Sequence, residues 1–125
     1  VSRDLLIRWC NQNSGSDHLA GLDAMRALLA AEFATLPGAR LEHATLQGTT
    51  AKALRVRVRP EAPQQIFLSD HYDTVYGSEH PFQCCELTDD DTLPGPGVAD
   101  SKGGIVVMLA ALRALPAPIR FSRAK

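Results

Sequence analysis

A turn rich in glycine and proline, Pro94-Gly95-Pro96-Gly97-Val98-Ala99-Asp100-Ser101-Lys102-Gly103-Gly104, runs directly into residues 105–115, which are apolar except for Arg113. Such a run predicts a helix packed on more than one side until Pro116 and Pro118 stop it. The glycines permit tight backbone turns and close approach, while Pro94 and Pro96 stiffen the way in. A loop of that kind holds one position still, and the residue it holds is Asp100. Upstream, the unalternated run Ile66-Phe67-Leu68 ends in Ser69-Asp70-His71-Tyr72-Asp73. Residues 66–69 are expected as a strand deep in a sheet, delivering His71 and Asp73 at its end. Together the two stretches have the layout of a metal site on an α/β sheet.

The remaining chain supplies elements around that centre. Residues 1–13 predict a helix from the spacing of Leu5, Leu6, Trp9 and Cys10, broken by Asn13-Ser14-Gly15-Ser16, with Asp17 expected as the next N-cap. In residues 19–33, Leu22, Met25, Leu28, Leu29 and Phe33 recur at three- and four-residue steps, the stripe of an amphipathic helix ending before Pro37-Gly38. Strands are expected at 41–46 and 53–58. In the second, Leu54, Val56 and Val58 alternate with Arg55, Arg57 and Arg59, so one face is wet and antiparallel pairing near a sheet edge follows. The acidic stretch 77–96, with Glu79, Glu86, Asp89, Asp90 and Asp91, predicts a surface loop with a short hairpin near 82–87. A last core strand is expected at Ile119-Arg120-Phe121.

Composition narrows the function classes. The 13 Lys and Arg balance 14 Asp and Glu for a net charge of −1, which gives no electrostatic case for nucleic acid or an anionic membrane. The basic residues Arg113, Arg120, Arg123 and Lys125 near the end read as solvated. Three cysteines, two of them adjacent, make no disulfide framework and suit a reducing, cytoplasmic setting. Cys84 and Cys85 would point to opposite faces if extended, a poor chelating pair. No apolar run reaches the ~18 residues of a membrane span. The 125 residues are the size of one domain.

His71 and Asp73 lie two apart in an extended segment and so face the same way. The Asp73 carboxylate can then accept one imidazole N–H of His71 while the other ring nitrogen binds a metal. Asp100 can offer both carboxylate oxygens to bridge two ions. Nucleotide loops fit this turn poorly: Asp100 stands where a dinucleotide loop needs its third glycine, and no glycine precedes Lys102 as a phosphate loop requires. Left open at this level are a surface histidine at His71 and a helix cap at Asp100 or Ser101. His18, His43 and His80 have no comparable setting.

HYDTV followed by GPGVADSKGG resembles the aminoacylase and glutamate carboxypeptidase family of co-catalytic di-zinc metallopeptidases, and WCNQNSGSDHLAGL looks like that family's N-terminal helices. The resemblance covers residues 6–115. It implies the fold class: α/β, the N-terminal portion of a mixed-sheet, three-layer α/β/α zinc-peptidase catalytic domain spanning 1–125. It further implies that His71 and Asp100 are metal ligands, Asp100 bridging two Zn2+ ions, that Asp73 is the catalytic-site carboxylate orienting His71, and that the Asp100–Ser101 peptide is cis. The implied activity is zinc-dependent hydrolysis of an amide next to a free carboxylate, on a small peptide or an N-acyl amino acid.

The chain also departs from the family. The family's Glu-Glu pair, its further carboxylate and distant His, and its dimerisation domain have no counterpart in these 125 residues. Asp70 stands where the family tends to have Gly, and Pro94 where it has Asn or Asp. The expectation is therefore a truncated, catalytically inactive hydrolase with an exposed sheet edge that promotes self-association. Its rivals are a non-catalytic interaction module built from the half-domain, and an unrelated α/β protein in which His71 and Asp100 lie far apart.

Overall fold

The computed structural model describes residues 2–116, so the strand expected at 119–121 and the basic residues Arg120, Arg123 and Lys125 lie outside the described residues. Helix α1 covers Arg3–Cys10. Ser2 caps it by accepting the Leu5 amide at 3.2 Å, with Asp4 in the first turn and Arg8 in the last, each favourable to the helix dipole. Helix α2 covers Leu19–Phe33, as its apolar stripe predicts. Its N-cap is His18 rather than Asp17 and makes no side-chain cap bond. His18 is occupied elsewhere, its Nδ1 lying 2.8 Å from Asn13 Oδ1.

Strands β1 (Arg40–Thr45) and β2 (Lys52–Arg57) pair antiparallel, with Leu41 opposite Val56 and Glu42 opposite Arg55. The wet face of β2 is where its arginines lie, and Arg55 there reaches Glu42 at 3.1 Å. Helix α3 covers Gly103–Ala114. The chain thus has mixed helices and a two-stranded antiparallel sheet, a small α/β arrangement. No helix among the described residues is long and apolar enough to cross a membrane.

Trp9 and Leu5 of α1, Met25, Leu29 and Phe33 of α2, and Ile105, Val106 and Leu109 of α3 form one core, with Leu36. Leu41, Leu54 and Val56 of the hairpin close it from one side. Each fully buried side chain of this size stabilises the fold by about 1.5–3 kcal/mol. On the rim, Glu32 of α2 accepts from Arg8 of α1 at 3.1 Å and Arg113 of α3 at 2.9 Å. These are exposed pairs, each contributing at most about 1 kcal/mol.

Two expectations are corrected. Residues 66–69 form no strand and do not lie deep in a sheet: they pair with nothing, and Ile66 and Phe67 are 88% and 90% exposed. The only paired strands among the described residues are β1 and β2, which leave this run without a neighbour to complete its backbone hydrogen bonds. The hairpin expected near 82–87 is displaced to an isolated Asp89–Thr92 bridge, because Cys85 is instead held to α1. Asn11 accepts the Cys85 amide at 2.8 Å and donates to its carbonyl at 3.0 Å, taking both groups a hairpin would use. Cys85 is accordingly buried and Cys84 exposed, on opposite faces.

Candidate metal centre

The turn 98–102 sends Asp100 and Lys102 in opposite directions. Gly97, at φ 80°, enters it through a left-handed conformation that a side chain would resist, and Asp100 is extended at φ −136°, ψ 91°. The Asp100–Ser101 peptide is cis, as the resemblance implies. Asp100 projects outward with its side chain 87% exposed, while Lys102 is fully buried. Lys102 Nζ donates to the carbonyls of Trp9 at 2.9 Å and Gln12 at 2.8 Å, at the end of α1. Its stem lies against Gly97, where an added Cβ would approach Lys102 Cγ and Cδ to 3.1 Å. One side chain thus pins the turn to the core from behind, a role its charged character hides in the sequence.

On the facing segment, the backbone of 71–77 is tied to the Asn13-Ser14-Gly15-Ser16 turn. Thr74 N donates to Ser14 O at 2.9 Å and Ser16 N to Thr74 O at 3.0 Å. Ser14 Oγ donates to Tyr72 O at 2.6 Å. Gly15 is needed in this bridge because a Cβ would meet Tyr76 O at 2.6 Å. The turn that reads in sequence only as a helix breaker therefore holds the His71 segment in place.

The three residues singled out by sequence come together. His71 Nδ1 lies 3.1 Å from Asp73 Oδ1, and His71 Nε2 lies 2.8 Å from Asp100 Oδ1. Ser16 Oγ donates to Asp73 Oδ2 at 2.6 Å, extending the relay to Ser16, Asp73, His71 and Asp100. Partial burial works to lower the His71 pKa, but Asp100 and then Asp73 outweigh it and raise it above the ordinary imidazole value. Asp70 joins from behind: its Oδ1 accepts the His71 amide at 2.8 Å and the Ser101 hydroxyl. In the sequence Asp70 reads only as a departure from the family's Gly, and nothing singles out Ser16.

Two carboxylates thus flank the imidazole and a third holds the backbone of the same residue, and no Lys or Arg among the described residues is paired with any of them. A cleft of about 220 Å³ opens over the pair, lined by Ser16, His71, Asp73, Thr74, Tyr76 and Asp100. With its Nε2 proton given up, a His71 oriented by Asp73 would form with Asp100 a donor pair suited to a divalent cation such as zinc. The set is partial. No group of three or more His, Cys, Asp or Glu among the described residues is arranged to hold a metal, whereas even a one-zinc catalytic site uses about three protein ligands. Comparison with protein families, with curated proteins and with solved structures gives no match for this chain.

Proposed function

We propose that these residues belong to a zinc-dependent hydrolase of the carboxypeptidase and aminoacylase type, cleaving an amide next to a free carboxylate, such as a C-terminal glutamate or an N-acyl amino acid. The fold in this reading is the N-terminal part of a three-layer zinc-peptidase domain. One observation carries it: His71 Nε2 faces Asp100 across 2.8 Å while Nδ1 is held by Asp73. That is a ligand with its orienting carboxylate, set beside a second carboxylate. His71 and Asp100 would hold the metal, and Asp73 would keep the His71 tautomer with Nε2 free. Zinc bound there would polarise a carbonyl and lower the pKa of a water. Ser16 holds Asp73, and the cleft gives an acyl group room beside Thr74 and Tyr76.

With two protein ligands and no further metal-binding side chain grouped with them among the described residues, the 125 residues are expected to bind zinc weakly and to turn nothing over. The free thiols of Cys10, Cys84 and Cys85 suit a reducing, cytoplasmic setting. A second reading, an interaction module in which another chain completes the site, is favoured by the exposed apolar residues Ile66 and Phe67 beside the His71 segment.

Calorimetric zinc titration of the wild type, His71→Ala and Asp100→Ala, with an amidase assay on N-acyl glutamates, tests the proposal. The expected result is a zinc-dependent heat in the wild type that both substitutions abolish. A wild type that takes up no zinc, or a heat unaffected by His71→Ala, refutes the metal reading. Turnover by the wild type refutes the expected inactivity.

A further inference from the structure

Asp70 directly precedes His71, and Ser101 directly follows Asp100. The two motifs therefore face each other as two rungs: Asp70 with Ser101, and His71 with Asp100. The first rung is more than a surface contact. Asp70 Oδ1 accepts two donors at once, the Ser101 hydroxyl from the opposite segment and the His71 amide, at 2.8 Å, from its own. Its other oxygen occupies the space at Gly104 where a side chain would begin: an added Cβ there would overlap Asp70 Oδ2 and come within 3.3 Å of Ser101 Oγ. Gly104 belongs to the first turn of α3, where the helix dipole also favours a carboxylate.

We infer that Asp70 is a positioning residue which, through Ser101, sets the register of His71 against Asp100 and so the metal affinity of the pair. The inference rests on the metal reading above for its consequence, and on the Asp70–Ser101 rung for its mechanism. Without that rung nothing else described ties residue 70 to residue 101. Asp73 would still hold the His71 ring, but His71 and Asp100 are both exposed and their spacing would be free to change, whereas a zinc ligand set tolerates deviations of only about 0.2 Å in bond length. Asp70 itself contributes no ligand in this scheme, because both its oxygens are directed at Ser101, the His71 amide and the α3 terminus.

The test uses the full chain with Asp70→Ala, Ser101→Ala, the double variant and Asp70→Asn, each checked for a cooperative melt by circular dichroism. Zinc affinity is read by calorimetry, and the His71–Asp100 contact by proton–proton Overhauser effects between the His71 ring and the Asp100 methylene in metal-free protein. Each alanine variant is expected to lose the contact and to weaken zinc binding by about tenfold, the usual scale for a group that orients a ligand. The double variant should be no worse than either single one, because both remove the same rung. Asp70→Asn keeps an acceptor at Oδ1 and should recover most of the affinity. Ser101→Ala, which removes the same rung from the other side, stands in if Asp70→Ala does not fold. Retention of the contact in Asp70→Ala, with affinity within about twofold of wild type, overturns the inference. A wild type that binds no zinc while Asp70→Ala loses the contact removes the metal reading and leaves the clamp standing. A wild type that binds no zinc while the variant keeps the contact removes both.

Discussion

Lys102 allows the sharpest quantitative check on the way the Asp100 turn is anchored. Burial pulls its pKa from 10.5 down to about 8, with Cys10 and Cys85 opposing the shift. The folded state therefore binds fewer protons than the unfolded state between pH 8 and 10.5, and stability must rise with pH across that window. The contribution is fully present above 10.5 and lost as pH falls through about 8. A shift of that size is worth roughly 3 kcal/mol over the whole window, of which about 1 kcal/mol develops between pH 7 and 9. The neutral amine still carries two N–H bonds, enough for the carbonyls of Trp9 and Gln12, so deprotonation costs no hydrogen bond.

The thiols pull the other way. Burial, reinforced by Cys85, pushes Cys10 from 9.0 up to about 12, and burial also raises Cys85. Their contribution is present below pH 9.0 and lost as pH rises above it, so the wild-type profile alone flattens near pH 9. Substituting Lys102→Met keeps the stem and removes the amine, and the difference between the two proteins cancels the thiols to first order. Urea unfolding followed by circular dichroism at pH 7, 8 and 9 gives that difference directly. At pH 7 the variant is expected to be less stable by about 1–3 kcal/mol, because the Gln12 carbonyl loses its donor. The gap should widen by roughly 1 kcal/mol by pH 9. A gap that stays flat or narrows would refute the claim that Lys102 is anchored in a site that disfavours its charge.

Two further outcomes follow from single contacts. Gly104→Ala adds a Cβ that overlaps the Asp70 carboxylate, so thermal unfolding should show a loss of about 1–3 kcal/mol; with Asp70→Gly beside it the same change should raise stability, by up to about 1 kcal/mol, as alanine's helix preference is released. Equal effects in both backgrounds would mean that the two residues do not share that space. Phe67→Ser and Ile66→Thr, at side chains 90% and 88% exposed, should lower the apparent mass in light scattering at high concentration, and a wild type that is already a sharp monomer would rule out self-association through this run.

What could be read from the sequence divides along a physical line. The bounds of α2 and the alternation of β2 depend on the periodicity of side chains within each element, and the structure has them where that periodicity predicts; α3 forms as expected but is buried through Ile105, Val106 and Leu109 alone, with Val107 and Leu115 exposed, so it is not packed on more than one side. The approach of His71 to Asp100 follows only from the family resemblance, since the residues by themselves left the separation of the two motifs open. Misread were the features that need a partner from elsewhere in the chain. Residues 66–69 have the composition of a buried strand, but a strand exists only where a neighbour accepts its hydrogen bonds, and β preference is a statement about such surroundings. The backbone of Cys85 is claimed by Asn11, 74 positions away, so the local hairpin signal near it lost to a distant amide.

Lys102 and Asp70 show why charged residues near a site are the hardest to read. In sequence each is a polar residue beside a motif, and the ordinary expectation is solvent. Lys102 is instead buried because α1 ends with two carbonyls aimed at its nitrogen, and Gly97 leaves room for its stem. Asp70 is held because Ser101 and the His71 amide both donate to it and Gly104 yields the space. In both cases the accommodating residue is a glycine of the same turn. The glycines at 97 and 104 therefore do more than permit a tight loop: they are the cavities into which one cation and one carboxylate are set, from opposite sides of Asp100. The consequence for the candidate metal centre is that the backbone carrying Asp100 is fixed by its neighbours while its carboxylate meets His71, and substitutions at Lys102 or Asp70 should reach it without altering either residue of that pair.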